Sequence, residues 1–358
     1  MSHATSRAWT VLGLCALCLT IAAHSIHASQ SEVPIQTASS RANADDTEFQ
    51  AAMTAKNQGD FGKAQSILLK LHRLHPGNFA VDESLGLIFV AQQNFSEALP
   101  FLETATREQP GSDAAQANLG AALYRLHRNS GALAAFCRAA QLNPANAQTQ
   151  QSVGELLLDA GQPRKAADAL ARAMDLKKDD PDLKLEYASA LVAAGDLDKA
   201  EQAITTLPNS ETSAQAHALL GEIDEKRADY RDAANHFSRA AALDPTEANA
   251  WALGVEFLRH WTFDAAIREF QAGTQKFPDS TRMKLGLATA VVGAGKYGEA
   301  IPVFAALLQR DNDNRLYAEM LGMACTSVSS ASKHDCSELI AYAKAHSDDP
   351  RSATDAAT

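Results

Sequence analysis

Pro76, Pro110 and Pro144 stand 34 residues apart, and a chain that repeats itself at an interval of this size folds by stacking one supersecondary unit on the next. A further step of 34 reaches Lys178, where Ala173-Met-Asp-Leu-Lys-Lys178 parallels Ala139-Ala-Gln-Leu-Asn-Pro144 without its proline. After an irregular step near Thr212 the series resumes at Pro245, Pro278 and Asn312. Ten residues past most of these markers comes a small residue: Gly86, Gly120, Gly154, Ala188 and Gly322, with Gly221 and Gly254 in the same place in their own units. Twelve residues later an alanine recurs, as at Ala98, Ala132, Ala166, Ala200, Ala266 and Ala300. Four further on stands a large apolar residue: Leu102, Phe136, Leu170, Ile204, Phe270 or Phe304. These spacings put apolar stripes on two helices per unit. The small residues admit close backbone approach, the large one is expected to fill the gap between neighbouring helix pairs, and the proline cannot continue the second helix. Composition agrees: 46% of residues are hydrophobic but only 6% aromatic, and alanine supplies much of the difference, as closely packed helices require.

Leu85-Gly86, Leu119-Gly120, Leu220-Gly221, Leu253-Gly254 and Leu321-Gly322, together with Ala132, Phe136, Ala139 and Pro144, resemble the tetratricopeptide repeat over most of the chain. The resemblance implies an all-α fold, a right-handed superhelical solenoid of about eight helix-turn-helix repeats over residues 44–312, closed by a divergent capping hairpin at 313–346. This sequence departs from the family pattern in three places. The early Trp is mostly replaced, the fifth repeat is shortened near Thr206-Leu-Pro208, and Pro100 and Pro302 lie inside second helices, where kinks are expected. Residues 29–43 and 347–358 are polar and rich in Ser, Ala and Asp, and are read as a disordered linker and tail.

The N-terminus carries Arg7, an apolar run from Trp9 to Ala23, and a small-residue exit around Ser25 and Ala28. That order is the mark of a secretory signal peptide over residues 1–28, so the protein is expected to be periplasmic or secreted, with no integral membrane segment after processing. If the signal stays uncleaved, the chain is membrane-tethered. Lys and Arg number 32 against 43 Asp and Glu, a formal charge of −11 with no basic block, which leaves no electrostatic footprint for nucleic acid.

Apparent chemical motifs give way to the repeat register. Gly293-Ala-Gly295-Lys-Tyr-Gly298 matches a dinucleotide fingerprint, but the register sets a helix, not a strand, before it and makes Gly295 an interhelical turn. Cys15-Ala-Leu-Cys18 has redox spacing but lies in the signal segment. Of the histidines outside that segment only His72 and His75 share a helix face, and all are read as surface residues rather than metal ligands. No catalytic residue, cofactor or metal is assigned.

The resemblance further implies that the first helices of the repeats line a concave groove where partners dock. Tyr124, Glu155, Asp159, Glu186, Glu222, Glu225, Trp251 and Leu258 occupy such inner-face positions, mixing apolar anchors with an acidic middle. The partner expected is a protein or peptide segment with basic and apolar residues. The reading is a non-enzymatic interaction scaffold; its alternative is a substrate-recognition or accessory component of an envelope enzyme, secretion or polysaccharide machine. In the terminal hairpin Cys325 and Cys336, 11 residues apart, are candidates for a disulfide, while Cys137 is expected to be a buried free thiol.

Overall fold

In the computed structural model, residues 36–328 and 336–346 are described, with side chains from residue 44 onward. The signal segment, the C-terminal tail and the Ser-rich loop of the last hairpin lie outside the described residues. The chain divides into two compact units, Met1–Ala190 and Leu191–Thr358. Among the described residues there are helices and turns and no strand.

The first unit contains α1 (Gln36–Asn57), α2 (Phe61–Leu74), α3 (Phe79–Ala91), α4 (Phe95–Glu108), α5 (Asp113–Arg125), α6 (Asn129–Leu142), α7 (Ala147–Asp159) and α8 (Pro163–Leu176), and the unit boundary falls within α9 (Pro181–Ala194). The second contains α10 (Leu197–Thr205), α11 (Ala214–Arg227), α12 (Tyr230–Leu243), α13 (Glu247–Arg259), α14 (Phe263–Lys276), α15 (Thr281–Gly293), α16 (Tyr297–Arg310), α17 (Arg315–Ser327) and α18 (Ser337–Ala345). Within each unit, among the described residues, odd-numbered helices open a hairpin and even-numbered ones close it. The shortened fifth repeat appears as α10, nine residues long, followed by a 3₁₀ turn at Ser210–Thr212.

Two devices set this alternation. The opening helices begin on side-chain caps: Asn78, Ser112, Asn146, Ser213, Ser280 and Asn314 each accept a hydrogen bond from the amide three residues on. Within hairpins the chain reverses through one left-handed residue, at Gly59, Gln93, His127, Gly161, Gly195, Ala228, Trp261 and Gly295. The amide after each bonds back to the carbonyl five residues earlier, as from Asn94 to Phe89 or Thr262 to Phe257, so orphan helix-end carbonyls are satisfied. Four of these eight positions carry a side chain in a region that favours glycine. His127→Gly is therefore expected to raise the urea midpoint, by about 0.5 to 1 kcal/mol, and Gly161→Ala to lower it by a similar amount. Opposite signs at equivalent positions are the diagnostic.

Three expectations are corrected. Residues 36–43, read as disordered linker, belong to α1, because Ala38, Ala42 and Ala44 continue the helix-forming Ala51-Ala52 stretch without a breaker. The large apolar residue, expected between neighbouring helix pairs, packs in several repeats on the glycine of its own hairpin, where an added Cβ would lie 2.5 Å from Leu102 at Gly86, 2.9 Å from Phe136 at Gly120 and 2.5 Å from Leu170 at Gly154, while Phe270 also meets Gly286 of the next hairpin. Cys137 is half-buried rather than buried, and its burial pushes the thiol up against the opposing pull of Arg172 and Lys165. Helices α4 and α16 run unbroken through Pro100 and Pro302. The carbonyls that lose a donor there, on Ser96 and Gly298, belong to exposed residues that water can reach.

Candidate interaction surface

Of the inner-face residues in the first unit, Tyr124 lies near the end of α5 and Glu155 and Asp159 follow each other one turn apart on α7; Tyr124 and Glu155 are half-buried and Asp159 is exposed. Gln151, one turn before Glu155, is buried, and its amide nitrogen donates to both carboxylate oxygens of Glu186 on α9, at 3.0 and 2.9 Å. Glu186 thus ties two opening helices together. A second polar link, Arg172 Nε to Gln150 Oε1 at 3.1 Å, fastens α8 to α7.

In the second unit Glu222 is half-buried, whereas Trp251 and Leu258 pack against the buried cluster around Phe270 while keeping part of their surface outside. The Trp251 ring meets Phe270 at 5.5 Å between centroids, and the Arg282 guanidinium stands 5.8 Å above the same indole. Glu225 is not an isolated groove charge. Its Oε2 lies 2.9 Å from His260 Nε2 and its Oε1 3.6 Å from the Arg259 guanidinium. Beside it stands Glu256, whose Oε1 is 3.3 Å from the same imidazole nitrogen. The side chain of Glu256 is 1% exposed, and neither of its oxygens has a hydrogen-bond partner among the described residues. Burial, with the Glu225 charge adding to it, pushes the Glu256 carboxyl up to about 7. The ring of Tyr230 stacks on His260 at 3.9 Å. His260, expected on the surface, is half-buried, and the buried acid Glu256 stands one helical turn before it, a separation of four residues that the sequence alone displays.

At the apparent dinucleotide fingerprint, Gly293 ends α15, Gly295 forms the turn with φ 71° and Gly298 lies in α16, so helices stand on both sides of it. Cys325 and Cys336 are joined by a disulfide, with Cα atoms 6.3 Å apart. No helix among the described residues is long and apolar enough to cross a membrane.

Tetratricopeptide-repeat models match residues 49–113 and 84–147, and again 157–223 and 262–324, together more than half of the chain. No curated protein matches it. Among solved structures, a tetratricopeptide repeat protein from Parabacteroides merdae aligns with a TM-score of 0.50 and 16% identity, covering 70% of this chain and 99% of that one. YrrB, described as a TPR protein with an unusual peptide-binding site, aligns at TM-score 0.48 and 18% identity over 53% of this chain and 97% of its own. Pseudomonas aeruginosa pilF does so at 0.44 and 20%, over 59% and 96%. With helical hairpins repeating in each unit, the glycine-on-large-residue packing and models that recognise the repeat over most of its length, this chain belongs to the tetratricopeptide-repeat family.

Proposed function

We propose that this chain is an exported, non-enzymatic scaffold that holds an extended or helical segment of a partner protein along the opening helices of its repeats. What supports the reading is the partly buried Tyr124 near the end of α5 together with Glu155 and Asp159 one turn apart on α7, the next opening helix. A half-buried aromatic residue stands in the repeat preceding two acids on one helical stripe. A segment bearing basic and aliphatic residues complements these residues, and the chain's charge of −11 favours the encounter. Export is supported by the apolar run Trp9–Ala23 with its small-residue exit, and by a disulfide of the kind that persists in oxidising compartments.

The test has two arms. N-terminal sequencing of the protein from the producing cell should start after Ser25 or Ala28; a chain beginning at Met1 overturns export by a cleaved signal. Crosslinking pull-down from the envelope fraction should then yield a partner whose affinity falls with Tyr124→Ala by more than about 1 kcal/mol, as expected for a buried aromatic anchor. Glu155→Lys with Asp159→Lys should weaken binding and flatten its salt dependence. Wild-type affinity in folded variants would remove these residues from the reading.

A further inference from the structure

Register exposes one residue of the second unit as out of place. From α3 onward, opening helices place a core side chain five residues before the left-handed turn: Ile88, Ala122, Leu156 and Ala190 in the first unit, Ile223 and Ala290 in the second, with Ala324 at the equivalent place in α17; in the terminal helix α1 the position is the exposed Thr54. The core residues among these are all 3% exposed or less. In α13 that position is Glu256, itself 2% exposed. A buried carboxylate whose oxygens accept no hydrogen bond costs several kcal/mol relative to water unless a proton or a cation, such as the His260 imidazole nitrogen 3.3 Å away or a bound metal ion, meets it. Nothing about helix packing calls for it, since small and branched apolar residues serve the same position elsewhere.

What surrounds Glu256 is a ligand set. From Glu225, Glu256 and His260, one oxygen, one oxygen and one imidazole nitrogen lie within 4.8 Å of one another. The imidazole nitrogen is 2.9 Å from the Glu225 oxygen and 3.3 Å from that of Glu256. Ligands bound tetrahedrally at about 2.0–2.1 Å from a zinc ion are separated by about 3.4 Å, close to the two distances from the imidazole nitrogen, while the two carboxylate oxygens lie within 4.8 Å of each other. Two carboxylates and a neutral imidazole balance a dication. Nitrogen among the donors favours zinc and its transition-metal neighbours over calcium or magnesium. The Tyr230 ring, stacked on His260, holds the imidazole plane, the supporting role that outer groups play at metal centres. Arg259 bears on the outer oxygen of Glu225, 3.6 Å away, and its side chain is 57% exposed to water. The side chains of Glu225 and His260 are 21% and 25% exposed, which leaves an entry path.

We propose that Glu225, Glu256 and His260 form a binding site for a divalent transition-metal ion, Zn²⁺ foremost, whose coordination is completed by water. Glu225 lies in the last turn of α11, Glu256 lies in α13 and His260 directly follows that helix. The ion therefore clamps the opening helices of two consecutive hairpins, and its binding energy adds to the stability of that interface.

The experiment uses the full mature chain without an affinity tag, stripped with chelator, desalted and titrated with zinc chloride. One equivalent of zinc should survive gel filtration by elemental analysis, and the melting temperature should rise by several degrees with zinc and fall back with chelator. Glu256→Gln and His260→Gln should each bind zinc at least tenfold more weakly and lose the thermal shift. His72→Gln, a change in the first unit beside the buried Asp82, should retain both. Glu256→Gln replaces a buried acid by a neutral amide and is expected to fold; circular dichroism confirms it, with Glu225→Gln as the second variant should it not. Absence of zinc from the wild type, or unchanged zinc binding in folded Glu256→Gln and His260→Gln, would overturn the site and leave the imidazole as a proton donor shared by the two acids.

Discussion

Phe270→Ala is expected to lower the stability of the second unit by about 3 to 5 kcal/mol, the range for deleting a buried aromatic ring. The ring is fully buried and clamped from both sides. A Cβ at Gly254, within its own hairpin, would lie 2.5 Å from it, and one at Gly286, on the next opening helix, 2.4 Å. A ring held between two backbones leaves a cavity that neither can close, so relaxation recovers little. Gly286→Ala tests the same clamp from the other direction. The methyl should cost about 1 to 3 kcal/mol by overpacking, although alanine is otherwise the better helix former. Phe237 meets a glycine only across its own hairpin, with an added Cβ at Gly221 3.1 Å away, so Gly221→Ala should be milder. Urea denaturation with hydrogen exchange checks all three: protection should fall in α13–α16, since each repeat touches only its neighbours. Wild-type exchange there in Phe270→Ala would contradict the clamp.

Opening the Cys325–Cys336 bridge should cost roughly 2 to 3 kcal/mol, the chain-entropy value for a loop of this length. The loss should concentrate in the last hairpin, where α18 buries only Leu339 and Tyr342. In Cys336→Ser, limited proteolysis should cut between α17 and α18 while α13–α16 resist. In the mature, unreduced protein one thiol should alkylate, Cys137; three alkylated thiols in an intact-mass measurement would refute the bridge.

How far the sequence could be read depended on whether a feature recurs. The hairpins were legible because their determinants repeat: Gly86, Gly120 and Gly154 face Leu102, Phe136 and Leu170 at a constant offset, and any one unit could be checked against the others. The start of α1 was not, because residues 36–43 are polar and lack the apolar stripe that marks a helix. The contacts of the large residues were only half legible: spacing places them on the second helix without saying which neighbour they press against, and Phe270 presses on both. Among the inner-face residues, helical periodicity identified the stripe but not the company each charge keeps. Glu186 is held by Gln151, and Glu225 is drawn to His260, a residue 35 positions later that only stacking brings near. Glu256 was legible in principle, as the one acid in a column of Thr, Ile, Leu and Ala, but only once the turns had fixed the register.

The eight left-handed turns have a bearing on how a chain like this changes length. Glycine, glutamine, histidine, alanine and tryptophan all serve there, closed by the same backbone hydrogen bond, so the joint depends on main-chain geometry more than on the residue it carries. Whole repeats can then be copied or deleted between joints, and every surviving residue away from the seam keeps its former neighbours. A feature built across two particular repeats, as Glu225 and Glu256 are, has no such freedom: an insertion between them would part its members.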